Sequence, residues 1–375
     1  MGAYERITAK SLLRDHKYVD GYFISRYGLN LYRGCAHDCV YCDGRSEKYQ
    51  VNQDFAHEVA LKQNAPALLD TELSRLEKRG ALTPSFIMFG GGVGDFFQFA
   101  DEPVTGELFT VIENHHLPLH ILTKSANVLS YLSQICAIDH IRRALVSFSL
   151  STSDDSLGEI LEPGASLPSK RLDALSQLRG RGIHGGIYLM PVIPFITDSE
   201  KKIRSTVRDA LNAGAEYIVF GGMTLKQGRQ RDYFYSFLKQ YFEKAIPWYD
   251  SIYQGDKWGG AVPAYYERLS KYALPIIEQS KAALMIPPQI FADVLDVNGR
   301  ISVMCTQIDH ILRAKGIYSP YGRAAHAISL CKTALEKPED LRDIEGISEN
   351  AKKVISDIIS TGDSRTYRSL ITPAL

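Results

Sequence analysis

The chain has 375 residues, 45% hydrophobic and 23% charged, with 43 Lys plus Arg against 43 Asp plus Glu. A balance of that kind excludes a global field drawing the protein to nucleic acid or membrane, though not a local basic groove. The N-terminal "MGAYERITAKSLLRDHK" has no apolar leader run, and no stretch approaches the roughly 18 apolar residues of a membrane helix, so cytoplasm is the expected compartment.

In chain order, the first conspicuous segment is "NLYRGCAHDCVYC", which puts Cys35, Cys39 and Cys42 in a C-x3-C-x2-C pattern, half of the six cysteines. In a reducing compartment clustered cysteines point to metal or redox chemistry rather than disulfides. Structural zinc sites usually pair two ligands with two more at a distance, and Cys136, Cys305 and Cys331 stand alone. Three thiolates can instead hold three irons of a 4Fe-4S cluster and leave the fourth open to a small molecule. A zinc site completed by His37 and an unligated set of thiols are the plainer alternatives.

From about residue 55 to 240 apolar strands alternate with helical stretches. "NAPALLDTELSRLEKRG" has Pro66 near a helix start and Gly80 at its stop, with Leu69, Leu73 and Leu76 at helical spacing. "SFIMFGGG", "LHILTKS", "ALVSFSLST", "GIHGGIYLMPVIP" and "EYIVFGGM" then read as strands, with helices between them. Strand followed by helix, repeated, predicts a parallel sheet with helices outside. With a strand before the cysteine loop this makes about six units: an α/β fold, a partial (β/α)6 TIM-like barrel with a C-terminal helical extension. In such folds the chemistry sits at the C-terminal ends of the strands.

After residue 225 the character changes. Residues 225–273 hold 13 aromatics, including both tryptophans, interleaved with eight basic and five acidic residues. Phe234, Leu238 and Phe242 at i, i+4, i+8 predict a helix facing a core. Tyr233, Trp258 and Tyr265, flanked by polar residues, are candidates for stacking bases, and "GRQRD" (228–232) is the best phosphate-binding stretch. The tail "LRDIEGISENAKKVISDI" has the hydrophobic-x-Gly-hydrophobic turn of a helix-hairpin-helix element, which holds phosphates on backbone amides. Yet residues 336–375 carry six basic side chains against eight acidic, a poor footprint for DNA. The expected divisions are an N-terminal extension (1–24), a core (25–240), an aromatic-rich helical region (241–335) and the hairpin-like tail (336–375).

The cysteine triad, with Tyr41 just before the last thiol, resembles the signature of the radical SAM superfamily. "LHILTKSANVL", "LVSFSLSTSDDSLGEILEPGASLPSKRLDAL" and "GIYLMPVIPFITDSE" narrow the resemblance to its spore photoproduct lyase-related, DNA repair photolyase-like subgroup, over roughly residues 25–235. The resemblance implies a 4Fe-4S cluster on Cys35, Cys39 and Cys42, and S-adenosyl-L-methionine (SAM) on its open iron. It implies reductive cleavage of SAM to a radical that abstracts hydrogen from a substrate. It also implies that the backbone of Gly90, Gly91 and Gly92 meets the methionine amino group and that Lys124 pairs with the SAM carboxylate. Ser149 matches a position near the methionine or ribose, and Tyr41 is expected beside the adenine. Glu162 of "LEPG" is expected to contact substrate or to pair with Lys170.

A nucleic acid substrate is implied by the resemblance alone, as is an external electron donor such as flavodoxin or ferredoxin. Two departures stand out. Spore photoproduct lyase returns hydrogen to its product from a cysteine between the cluster loop and the Thr-Lys strand, and no cysteine lies between Cys42 and Cys136. The corresponding region carries Asp95, Phe96 and Phe97, and the tyrosine usual after the third cysteine is Asp43, expected at the cluster loop's backbone or at a substrate. The carbon–carbon lyase reaction is therefore not carried over directly, and no catalytic residue is assigned. A peptide, RNA or small-metabolite substrate, or a nucleic-acid-binding iron–sulfur protein without catalysis, are the other readings.

Overall fold

The structure is a computed structural model that describes residues 4–52 and 54–372. Its ten strands are β1 (Glu5–Ile7), β2 (Leu13–Asp20), β3 (Ser25–Leu29), β4 (Tyr32–Arg33), β5 (Ala60–Lys62), β6 (Phe86–Phe89), β7 (Leu119–Thr123), β8 (Ala144–Leu150), β9 (His184–Val192) and β10 (Ile218–Gly222). Seven form one sheet in the order β10-β9-β8-β7-β6-β3-β2, and β1-β5-β4 form a small second one. Six strands of the large sheet run parallel; β2 alone is antiparallel, on β3. Consecutive parallel strands lie side by side because each returns through a helix, and right-handed crossovers lay them down in sequence order.

The local chemistry of the elements follows the sequence. The helix Ala65–Lys78 starts with proline in its first turn, and Gly80 beyond its end takes φ 60°. The helix Glu200–Asn212 is capped by Ser199, whose hydroxyl accepts from the Lys202 N–H. β8 is buried along its whole length, as a central parallel strand covered on both faces must be.

Among the described residues the edge strands β10 and β2 do not pair, so the barrel is open. The C-terminal region fills the gap. Ala283 bridges to Tyr217, where the Ile218 N–H donates to the Ala283 carbonyl at 2.8 Å. Helix Val297–Ala314 packs on β2, and its buried Gln307 donates to the carbonyls of Gly21 (3.3 Å) and Ile286 (3.0 Å). The stretch expected as an N-terminal extension thus contributes the edge strand β2, and Leu13 and Val19 lie in it. The tail's helix Glu349–Thr361 buries Ala351, Ile355 and Ile358, and Tyr367 donates to Gln307. The hairpin turn itself, Glu345–Gly346, is exposed. No described helix is long and apolar enough to cross a membrane.

Candidate metal and cofactor centre

The three thiols lie on the loop after β4, at the C-terminal end of the parallel strands. Cys35 and Cys39 are buried, and Cys42 is partly so. The loop is held by its backbone: the Cys35 N–H donates to the Phe55 carbonyl (3.0 Å) and the Val40 N–H to the Leu161 carbonyl (2.9 Å). Burial pushes the Cys35 thiol up to about 12, with the Asp95 charge and Cys42 adding to it. Burial also raises Cys39 and Cys42, and Lys124 is among the charges that oppose it at both. Coordination deprotonates a thiol whatever its free pKa, so such values do not disfavour a metal.

Among the described residues no three His, Cys, Asp or Glu side chains converge as donors around one ion. A cluster asks for no such convergence, since each thiolate takes a different iron. His37, which would complete a zinc set, is buried with Nδ1 3.7 Å from Asp95. The donor set, three thiols and no imidazole among them, therefore fits an iron–sulfur cluster.

The next two strand ends carry the polar residues. Lys124, just past β7, donates from Nζ to Ser149 Oγ of β8 at 2.5 Å, and Ser149 donates on to the Met190 carbonyl at 2.8 Å. Lys124 Nζ also lies 5.8 Å from the centre of the Tyr41 ring, so Lys124 and Ser149 face the cysteine loop. The loop after β6 holds the glycines. Gly90 takes φ 125°, and a Cβ there would sit 2.3 Å from the Leu122 carbonyl oxygen. Gly91 (φ 70°) and Gly92 follow on the surface, their backbone open to a ligand.

Asp95 ties the two loops together. It accepts from Thr123 Oγ1 (2.8 and 2.9 Å), the Lys124 N–H (2.8 Å) and the Phe97 N–H (2.8 Å). We expect Gly90→Ala to lose at least about 1–3 kcal/mol of stability through strain at positive φ. Gly92→Ala meets its nearest atom only at 4.0 Å and should change the urea midpoint little. Equal midpoints for the two variants would refute this account of the glycine turn.

The structure shows what several of these residues hold. Tyr41, expected beside the adenine, is 5% exposed; its hydroxyl donates to Glu162 and accepts from Ser151 Oγ at 3.0 Å. These bonds fix the Tyr41 side chain against the end of β8 and anchor the cysteine loop. Glu162 pairs with Arg171 and not Lys170, which is exposed. Arg171 is fully buried and also donates to the carbonyls of Ser149 (2.8 Å) and Ser166 (2.6 Å). The Asp43 carboxylate, 35% exposed, accepts from Lys226, from Tyr49 Oη at 2.5 Å and from Thr224 Oγ1 at 3.4 Å.

"GRQRD" opens the helix Arg229–Tyr241 and is not a loose phosphate loop. Arg229 binds the backbone of Val51 and Asn52, and Arg231 pairs with Asp250. Tyr265 is buried with its hydroxyl on Asp198 (2.9 Å), whereas Tyr233 stacks on Arg45, whose Cζ is 3.6 Å from its ring centre. Phe96 and Phe97 are core residues; Phe96 stacks on Phe89 at 4.5 Å.

Two structural residues were not foreseen. Gln230 is fully buried and donates to the carbonyls of Tyr41 (2.9 Å) and Thr224 (2.8 Å), pinning the cysteine loop to the end of β10. Arg171 is the other. Both carry one signal in the sequence, a polar residue standing where the helical period calls for an apolar one: Arg171 with Ala174, Leu175 and Leu178, Gln230 with Phe234 and Phe237.

A six-stranded open α/β barrel with a compact thiol triad and a lysine at the third strand end is the architecture of one enzyme class. Residues 29–210 match the family model of the radical SAM superfamily, so that stretch of the chain is a radical SAM domain. Its fold is similar to spore photoproduct lyase complexed with dinucleoside spore photoproduct (TM-score 0.54, 16% identity, 74% of this chain and 79% of that one). A mutant of that lyase with bound AdoMet and dinucleoside spore photoproduct matches over the same shares, at TM-score 0.54 and 16% identity. Sequence relatives include an uncharacterized protein of Mycobacterium tuberculosis, 26% identical over 285 residues (74% of this chain, 82% of the relative). Another is an uncharacterized protein of Methanocaldococcus jannaschii, 26% identical over 226 residues (60% of this chain, 77% of the relative). A radical SAM domain implies SAM and an iron–sulfur cluster, and SAM-dependent radical chemistry.

Proposed function

We propose that the protein is a cytoplasmic radical SAM enzyme that abstracts hydrogen from a nucleic acid, with a 4Fe-4S cluster on Cys35, Cys39 and Cys42. The observation that carries this reading is the convergence of Lys124 and Ser149, from two neighbouring strand ends, on the cysteine loop. Held on Cys35, Cys39 and Cys42 and served by an external electron donor such as flavodoxin or ferredoxin, the cluster would supply one-electron chemistry for the reductive cleavage of SAM. The chain's own part is binding and exclusion of water. The Lys124 ammonium is placed to pair with the SAM carboxylate as a flexible point charge. The Ser149 hydroxyl, held on the Met190 carbonyl, orients Lys124, and the exposed backbone of Gly91 and Gly92 is open to the methionine amino group. Tyr41, Glu162 and Arg171 hold the loop from behind.

Nucleic acid as substrate draws support from the fold's likeness to a lyase that binds a dinucleoside photoproduct. The carbon–carbon cleavage of that lyase is not part of the proposed reaction. Phe96 and Phe97 are buried in the core, and the Asp95 carboxylate is engaged by Thr123 and two backbone N–H groups, so residues 95–97 supply no hydrogen donor.

Anaerobic reconstitution with iron and sulfide, reduction and addition of SAM should yield 5′-deoxyadenosine. Lys124→Ala should weaken SAM binding by about 10- to 150-fold, the worth of a hydrogen bond to a charged group, measured by equilibrium dialysis. Absence of 5′-deoxyadenosine from the cluster-loaded wild type would overturn the enzymatic reading.

A further inference from the structure

The rim of the same centre carries a feature that the cofactor chemistry does not use. Trp258 is 58% exposed, an unusual placement for the largest apolar side chain. Lys48 Nζ lies 5.0 Å from its ring centre and Lys257 Nζ 5.1 Å. Tyr49 stands beside it, with Lys48 Nζ at 5.6 Å and Lys226 Nζ at 5.9 Å from its ring. The nearby carboxylates are already engaged: Asp43 by Lys226, Glu47 by Arg229, and Asp256 by the N–H groups of Trp258 (2.9 Å) and Gly260 (3.0 Å). Among the described residues neither Lys48 nor Lys257 forms an ion pair; Asp256 keeps its charge, so Lys48, Lys226, Arg229 and Lys257 against Asp43, Glu47 and Asp256 leave a net positive charge around an aromatic face.

The patch is rigidly mounted next to the cluster loop. Gly259 takes φ 75°, and its carbonyl accepts the Leu225 N–H at 2.7 Å; a Cβ there would lie 2.7 Å from the Lys226 nitrogen. Lys226 in turn holds Asp43, the neighbour of Cys42. The platform therefore moves with the mouth of the barrel, where a substrate must enter.

We propose that Trp258, with Lys48 and Lys257, is a subsite for an unstacked nucleotide of a single-stranded or locally opened nucleic acid: the base stacks on the indole and the lysines take the flanking phosphates. A base stacked on an aromatic face contributes more than an exposed cation–π contact does. A base therefore displaces a lysine from the ring face, and the released ammonium lies within reach of the phosphate. The subsite rests on the nucleic-acid reading above, and it goes further by saying which form of nucleic acid binds and where.

The test uses the full chain with Trp248→Phe, so that Trp258 is the one indole, titrated with a ten-nucleotide oligothymidylate, its duplex with oligoadenylate, an oligouridylate and a polyglutamate peptide. Saturable quenching of Trp258 by the single strands, stronger than by the duplex, is the expected result. Labelled-oligonucleotide anisotropy should show Trp258→Ala weakening binding by about 5- to 150-fold, with Trp258→Phe recovering most of the loss. Lys48→Ala with Lys257→Ala should lower the slope of log affinity against log salt by about 1.4, two single-strand phosphate contacts. Oligonucleotide binding that neither quenches Trp258 nor changes in Trp258→Ala overturns the subsite and leaves the nucleic-acid reading standing. No binding of any oligonucleotide overturns both. Quenching by polyglutamate alone overturns the subsite in favour of a dock for an acidic protein.

Discussion

Cys39→Ala is expected to yield a folded protein that assembles no intact cluster and cleaves SAM more than about 100-fold more slowly, since even outer-shell partners of a metal are worth 10–100-fold. Cys39 sits mid-loop, its backbone carbonyl accepting the Cys42 N–H at 3.2 Å and the Arg45 side-chain Nε–H at 3.3 Å. Both are made by the Cys39 backbone carbonyl, which alanine keeps. The loop's course is thus preserved while one thiolate is lost, which separates a ligand defect from a folding defect. Iron and sulfide per chain, visible absorbance and 5′-deoxyadenosine yield read the first; the urea midpoint reads the second. Cys136→Ala, on the helix Leu132–Ile141 on the outside of the sheet, is the matched control and should retain its iron. Wild-type iron content in Cys39→Ala would remove this cysteine from the ligand set.

Arg171→Leu should cost about 3–5 kcal/mol of stability, because it leaves a buried carboxylate without its cation. Glu162 and Arg171 are 3% and 0% exposed. Burial alone would raise the Glu162 carboxyl, but Arg171 and Lys124 overcome it and hold the group below its ordinary range. The pair joins three parts of the site: Tyr41 on the cysteine loop, Ser149 and Ser151 at the end of β8, and the helix Pro168–Gly180. Removing both charges together is a different matter, since no ion is then stranded. The double variant Glu162→Leu with Arg171→Leu should regain most of the lost stability while still binding iron poorly, its loop having lost the strut. Urea unfolding of the two single variants and the double would show this directly. A double variant no more stable than Arg171→Leu would mean that the pair matters for packing rather than charge.

The legible and the illegible parts of this protein divide by range. The strand–helix alternation between residues 55 and 240 was readable because each element is set by local period and by nearby start and stop signals such as Pro66 and Gly80. "NLYRGCAHDCVYC" was readable for the same reason: three donors within eight positions bring their own proximity. β2 was not, since "LRDHKYVD" shows no apolar alternation and is a strand only because β3 offers it an edge. Tyr265 and Trp258 look alike in sequence, an aromatic among polar neighbours, yet one is core and the other is 58% exposed.

By itself, the sequence determined the parallel barrel, the thiol triad and the lysine at the third strand end, each of which follows from spacing within one segment. Only the tertiary structure decided what stands behind them: that Arg171 rather than Lys170 neutralises Glu162, that Gln230 pins Tyr41 from 189 positions away, and that Asp43 belongs to Lys226. A helix turns about 100° per residue, so adjacent Lys170 and Arg171 face opposite environments. Burial then fixes the partner, because a charge inside the protein persists only where another meets it.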